Sequence, residues 1–370
     1  MGSQLFTPLE LRGLHLRNRI VISPMCQYSA SDGCAGDWHL MHLGQFSLSG
    51  SGLLFVEMTN VEARGRISPY CLGLYDDANE RALARVMEFC RRYGNTPIGI
   101  QLAHAGRKAS TLPPWEGRKR LLPENGGWVP VAPSAISGGG GDPPPAALGA
   151  QEIDALVEAF ATSAARAERV GFAAIELHAA HGYLLHQFLS PLSNRRDDDY
   201  GGSLENRMRF PLAVFDAVRA AWPDDKPLGV RVSATDWIED GWTLEDTIAF
   251  ARELAARGCD WIDVSSGGLA PPDVIPTAPG YQVPFARAVR AATGLTTIAV
   301  GMITEPRQAE AIVGRGDADL VALARGMLHD PRWTWHAAEE LGGDAPYPKQ
   351  YERSRPRLRA DMFADPRMSR

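Results

Sequence analysis

Eight short apolar runs, each ending in polar or glycine-rich sequence and separated from the next by a longer connection, constrain this chain more than any other feature. They are Arg19 to Met25, Leu53 to Thr59, Pro97 to His104, Ala173 to His178, Leu228 to Ala234, Trp261 to Ser265, Thr296 to Val300 and Leu320 to Ala324. Runs this short and this continuously apolar read as strands buried on both faces. The connections carry helical period: Ile153, Leu156, Val157, Phe160, Ala161 and Ala164 fall on one face, and the pattern stops at Gly171. Thr243 with Asp246 three residues on reads as a capping box, Ser203 as the cap of a helix running through Phe215, and Gly258 as the stop of the helix begun at Thr243. Strand and helix alternating in this way predict an α/β fold, a closed (β/α)8 TIM barrel of one domain. A doubly wound open sheet is the rival, but no G-x-G-x-x-G follows the first strand to admit a pyrophosphate.

Two excursions interrupt the repeat. Residues 111–149 hold Pro113-Pro114-Trp115, Gly126-Gly127-Trp128, four glycines at Gly138 to Gly141 and Pro143-Pro144-Pro145, the composition of a lid capping the barrel mouth between strands three and four. Residues 182–202 include Arg195-Arg196-Asp197-Asp198-Asp199, which reads as a solvated charge run. Past Gly342 the tail is too polar for another core helix and is expected to be disordered or to reach a neighbouring subunit.

Partner classes narrow by elimination. A net charge of −6 gives no electrostatic footing for nucleic acid or an anionic membrane, and no apolar run is long enough to span a bilayer. A cytoplasmic location and small-molecule chemistry are the expectations. The 5 cysteines (Cys26, Cys34, Cys71, Cys90 and Cys259) are scattered without a C-x-x-C pair, so reduced thiols are expected rather than disulfides or a metal centre.

The densest chemistry lies at Glu176-Leu177-His178-Ala179-Ala180-His181-Gly182-Tyr183, where a buried strand breaks into two histidines, a glycine and a tyrosine. In a parallel barrel that end of a strand faces the active site. Histidines donate hydrogen bonds or shuttle protons, and tyrosine is a weak acid that supplies one proton at a time. The same histidines could serve as metal ligands, but H-x-x-H without a carboxylate cluster is a weak metal motif, and no metal is expected.

Four motifs in register give a family resemblance: Pro24-Met25-Cys26-Gln27-Tyr28, Gln101-Leu102-Ala103-His104-Ala105-Gly106-Arg107-Lys108, His178 to Tyr183, and Tyr200-Gly201-Gly202-Ser203-Leu204-Glu205-Asn206-Arg207. Together, from Leu5 to Arg353, the chain resembles the Old Yellow Enzyme family of FMN-dependent ene-reductases. Cys26 and Gln350 to Arg353 are similar to its thermophilic-like subclass. The resemblance implies non-covalent FMN, NADPH or NADH as hydride donor, an electron-poor alkene as substrate, and a homodimer or homotetramer. It implies that His178 and His181 bind the substrate's carbonyl or nitro oxygen with Tyr28, and that Tyr183 delivers a proton. Ile67, and Arg353 from a neighbouring subunit, would line the substrate site. Ser23, Pro24, Met25, Cys26, Met58 and Gln101 would surround the flavin ring and ribityl chain, with Arg231 placing positive charge beside the reduced ring. Gly301, Met302, Ala324 and Arg325 would hold the phosphate at the barrel's usual phosphate position.

Departures from the resemblance are few. Relatives usually carry alanine at Met58 and often glycine at Ala324, and residues 354–370 run past the family's usual end. Two other functions are kept: a metal-dependent barrel hydrolase or lyase using His178 and His181, and a non-catalytic flavin-binding protein. The iron–sulfur dienoyl-thioester reductases, similar barrels with a further domain, are disfavoured by the cysteine spacing and the length of 370 residues.

Overall fold

The computed structural model describes residues 2–139 and 141–358. Its eight barrel strands are β1 (Ile20–Ile22), β2 (Leu53–Asn60), β3 (Ile98–Ala103), β4 (Ala174–Ala179), β5 (Leu228–Ser233), β6 (Trp261–Ser265), β7 (Thr296–Val300) and β8 (Leu320–Leu323). All pair in parallel and in sequential order, and β8 closes onto β1. The first strand is shorter than the apolar run predicted, because Pro24 has no N–H with which to continue a ladder. The second gains Asn60 and a bulge that shifts register between Val56 and Met58, with Glu57 as the extra residue.

Helices α1 (Asp37–Ser47), α2 (Asp77–Tyr93), α3 (Ala150–Val170), α4 (Leu184–Leu189), α5 (Leu204–Ala221), α6 (Leu244–Ala256), α7 (Val283–Thr293), α8 (Pro306–Gly314), α9 (Arg325–His329) and α10 (Trp333–Leu341) occupy the connections. Ser203 caps α5 through the Asn206 N–H and Thr243 forms its box with Asp246, as the sequence predicts. Among the described residues no helix is long and apolar enough to cross a membrane.

Period-two alternation sorts every strand into two faces. Ile100, Leu102, Ile175, Leu177, Val230, Val232, Ile262 and Val264 point outward into the layer shared with the helices. Val21, Leu53, Phe55, Ala174, Trp261, Ile298 and Leu320 point inward and form an apolar floor. An N-terminal hairpin, Leu9–Leu11 paired with Leu14–Leu16, adds Leu11 and Leu16 to that floor and plugs the barrel from below. Sequence reading did not find this hairpin, since three-residue strands carry almost no periodicity.

Floor packing is tight enough to dictate one glycine. A β-carbon on Gly229 would overlap the buried Trp261 indole on the neighbouring strand. Gly229→Ala is therefore expected to destabilise the fold by about 1–3 kcal/mol, read as a lower denaturant midpoint at unchanged m-value.

The 111–149 excursion consists of short 3-10 turns at Pro114–Glu116 and Pro123–Asn125 and a two-residue parallel pairing of Val131–Ala132 with Ala146–Ala147. Arg196 departs from the solvated reading: it is half-buried and donates to the carbonyls of Pro133 and Leu148, tying the base of this excursion to the loop after β4. Beyond Gly342, Tyr347 stacks on Trp335 of its own chain at 4.0 Å, while residues 349–354 lie exposed. Of the predicted extension, residues 359–370 lie outside the described residues.

Candidate active site

Above the apolar floor, the inward-facing positions turn polar. Gln101 on β3, Glu176 on β4, Arg231 on β5 and Asp263 on β6 are all buried, and one residue pair further along come His178, Ser233 and Ser265. Gln101 Nε2 donates to Glu176 Oε1 at 2.8 Å, and the Trp261 indole N–H reaches Glu176 Oε2 at 3.3 Å. Arg231 Nε lies 3.3 Å from Asp263 Oδ2. Asp263 is thus the resident counter-ion of Arg231. Burial, then the neighbouring Asp263 carboxylate, push Glu176 up to about 8, while burial also raises Asp263.

The strand tip places the predicted cluster together. The His178 ring lies edge-on to His181, 5.0 Å between centroids, and edge-on to Tyr183, at 4.9 Å. Burial and the Arg231 charge hold both imidazoles well below the ordinary histidine range, so they are neutral. His178 Nδ1 accepts from the Ala180 N–H at 3.3 Å, which puts its proton on Nε2. His181 Nε2 lies 2.7 Å from Ser265 Oγ. Ser266 already donates to Gln282 Oε1 at 2.6 Å and Ser265 is 3.4 Å from it, so the Ser265 proton is better placed on His181 Nε2, leaving Nδ1 as the N–H donor. Each histidine thus presents one donor.

The loop that carries His181 is fixed from several sides. His181 itself adopts φ +58°. Its N–H donates to Ser233 Oγ at 2.9 Å, and Lys108 Nζ donates to its carbonyl at 2.7 Å and to that of Gly268. Gly268, at φ +110°, packs so closely that a β-carbon there would overlap the His181 backbone. Gln187 Nε2 donates to Gly182 O at 2.6 Å, and the Gly182 N–H donates to His186 Nδ1. Burial lowers Lys108 to about 8, and the ammonium lies 5.7 Å from the Tyr183 ring centroid. His104, by contrast, is structural: its ring bridges Glu62 and the Gly106 N–H.

Next to His178, Tyr183 packs with Cys26, Tyr28, Met58, Ile67 and Cys71. Burial raises the Cys26 thiol and both phenols, so all three keep their protons. Glu57, displaced by the β2 bulge, accepts from the Gln27 N–H at 2.9 Å and lies 3.3 Å from His39, holding the Cys26 to Tyr28 turn from behind. Trp115 meets Tyr28 edge-on at 5.8 Å, and Trp128 joins the same apolar group. Arg353 lies exposed on the surface of its own chain, apart from this cluster.

Across the mouth, a cleft of about 700 Å³ opens at the ends of β7 and β8, lined by Val300, Gly301, Met302, Ala322, Ala324 and Arg325. Gly301 sits at φ +114° and Met302 at φ +49°. Arg325 opens α9, so its N–H has no acceptor within the helix.

Comparison with known proteins agrees with this architecture. The model of the NADH:flavin oxidoreductase / NADH oxidase family matches residues 4–343. The chain belongs to this family. An NADPH dehydrogenase of Geobacillus thermodenitrificans is 45% identical over 355 residues, covering 95% of this chain and 99% of the relative. The NADPH dehydrogenase of Bacillus subtilis is 43% identical over the same shares of both chains. Among solved structures, morphinone reductase superposes with a TM-score of 0.77 at 30% identity, covering 94% of this chain and 92% of its own. The protein is therefore a flavin-dependent oxidoreductase of the Old Yellow Enzyme type, with FMN as cofactor and a nicotinamide as hydride donor.

The residues of this flavoprotein fit that cofactor. Ser23 Oγ, at the strand end beside β8, is buried with no hydrogen-bond partner among the described residues. Buried orphan polar atoms of this kind call for a polar ligand. Sequence reasoning missed Glu57, Glu176, Asp263, Ser233 and Ser265. Two were within reach: Glu176 lies two positions before His178 and Asp263 two before Ser265, on the same strand face.

Proposed function

We propose that this oxidoreductase is an ene-reductase, reducing the C=C bond of enones, enals, maleimides or nitroalkenes at the expense of NAD(P)H. The observation that carries the reading is the meeting of two neutral imidazoles, one N–H each, with a protonated phenol edge-on to one of them. FMN, when bound, would supply the chemistry of hydride transfer between NAD(P)H and the β-carbon of the substrate. His178 Nε2 and His181 Nδ1 bind the substrate's oxygen, and their hydrogen bonds strengthen as negative charge develops there. Tyr183 gives its proton to the α-carbon, and Tyr28 adds a second phenol at the oxygen. Cys26 stays a thiol beside the ring and does not act as a nucleophile. Gln101, Ser23, Pro24, Met25 and Met58 would hold the flavin ring, Arg231 would place positive charge beside it when reduced, and Gly301, Met302, Ala324 and Arg325 would hold the phosphate. Residues 111–149 act as a lid, and Ile67 lines the substrate side.

The experiment is an anaerobic spectrum of the purified protein with NADPH added first and 2-cyclohexenone second. Yellow colour that bleaches and then returns supports the reading. A protein that bleaches but is never reoxidised by enone, maleimide or nitroalkene would remove the substrate class.

Arg353 is assigned to the active site of a neighbouring subunit. Arg353→Ala should raise KM for the alkene about fivefold, worth about 1 kcal/mol, at unchanged flavin content. An unchanged KM sinks this assignment.

A further inference from the structure

Two carboxylates share one guanidinium in the layer beneath the histidines. Glu176 and Asp263 are both buried, on strands that flank β5, and Arg231 between them is the one cation of the group. Arg231 can balance only one negative charge, so the second carboxyl in a dry interior holds a proton. The 3.3 Å contact of Arg231 Nε with Asp263 Oδ2 places the fixed ion pair on the β5–β6 side. Glu176, held by the neutral donors Gln101 and Trp261, is the member free to exchange a proton.

Its surroundings leave few other candidates. From β6 it faces Asp263 and from β5 Arg231, the two charges that act on it, and from β3 the uncharged Gln101. His178, two residues on along β4, is neutral. Glu57 on β2 is engaged by His39 and the Gln27 N–H.

We propose that Glu176 is a redox-linked proton site: in the pH range where Glu176 is ionised in the oxidised protein, reduction of the bound FMN draws a proton from solvent onto its carboxylate. This rests on the FMN reading of the barrel mouth, which sets the flavin over Gln101 and Arg231. Reduction by NAD(P)H delivers two electrons and one proton to the ring, which becomes an anion. The new charge competes for Arg231 and makes the ionised form of Glu176 costlier. A second proton, bound as Glu176 COOH, restores the balance.

The test is the reduction potential of the holoenzyme as a function of pH, by dye equilibration. Above about 8, where Glu176 is ionised before reduction, the wild-type slope should correspond to two protons per two electrons, and below it to one. Glu176→Gln should bind FMN and show one proton per two electrons throughout. Asp263→Asn leaves Glu176 as the only counter-ion of Arg231, so the two-proton segment should move to lower pH, which keeps the idea testable if the first variant folds poorly. A wild-type protein that bleaches with NADPH yet takes up one proton at every pH overturns the role of Glu176 alone, as does a two-proton slope that survives in Glu176→Gln. A protein that stays colourless after incubation with FMN overturns the FMN reading and this proposal with it.

Discussion

Replacing Tyr183 with phenylalanine should slow reoxidation of the reduced enzyme by an enone by roughly 10²–10⁴-fold, the usual worth of a positioned general acid. Reduction by NADPH should remain nearly as fast as in the parent. The asymmetry follows from the site. Burial keeps the Tyr183 phenol protonated, so it enters the second half-reaction as an acid ready to give up a proton. Hydride delivery in the first half-reaction requires no proton from it. Phenylalanine keeps the ring, and with it the edge-on packing against His178. Stopped-flow measurement of the two halves separates them. Equal losses in both would mean that the phenol holds the site's shape and does not supply the proton.

What could be read in the sequence, and what could not, divides along physical lines. The eight strands were legible because a strand buried on both faces is apolar throughout, and the helices because Thr243, Ser203 and Gly171 mark their ends. The cluster from His178 to Tyr183 was legible because its members are neighbours in the chain. The polar layer was not. Glu176 and Asp263 look like single interruptions in apolar runs, and only the pairing of β4 and β6 with β5 brings them to opposite sides of Arg231. Glu57 was hidden for another reason: a one-residue bulge turns it from the barrel towards His39, and bulges leave no periodic trace. Lys108 braces the His181 and Gly268 carbonyls from 73 and 160 residues away. Such a contact depends on which loops the fold superposes.

Removing one clamp donor, by His178→Ala, should lower kcat for alkene reduction by about 10²–10³-fold, the cost of losing one oriented hydrogen bond to a developing oxyanion. Reduction by NADPH should again change little. The pH profile carries a sharper expectation. An ordinary histidine titrates near pH 6.5, and a clamp built from such groups would change charge within the working range. Here burial, reinforced by Arg231, depresses both imidazoles well below that value, so they stay neutral as pH falls through it. Once His178 does take a proton, Nδ1 becomes a donor facing the Ala180 N–H, and the ring must turn away. The acid limb of kcat/KM for the alkene should therefore lie well below about pH 6.5, with no inflection there. An inflection near 6.5 that disappears in His178→Ala would show that the imidazole titrates as an exposed histidine. The neutral clamp would then have to be given up, along with the tautomer that the Ala180 contact assigns.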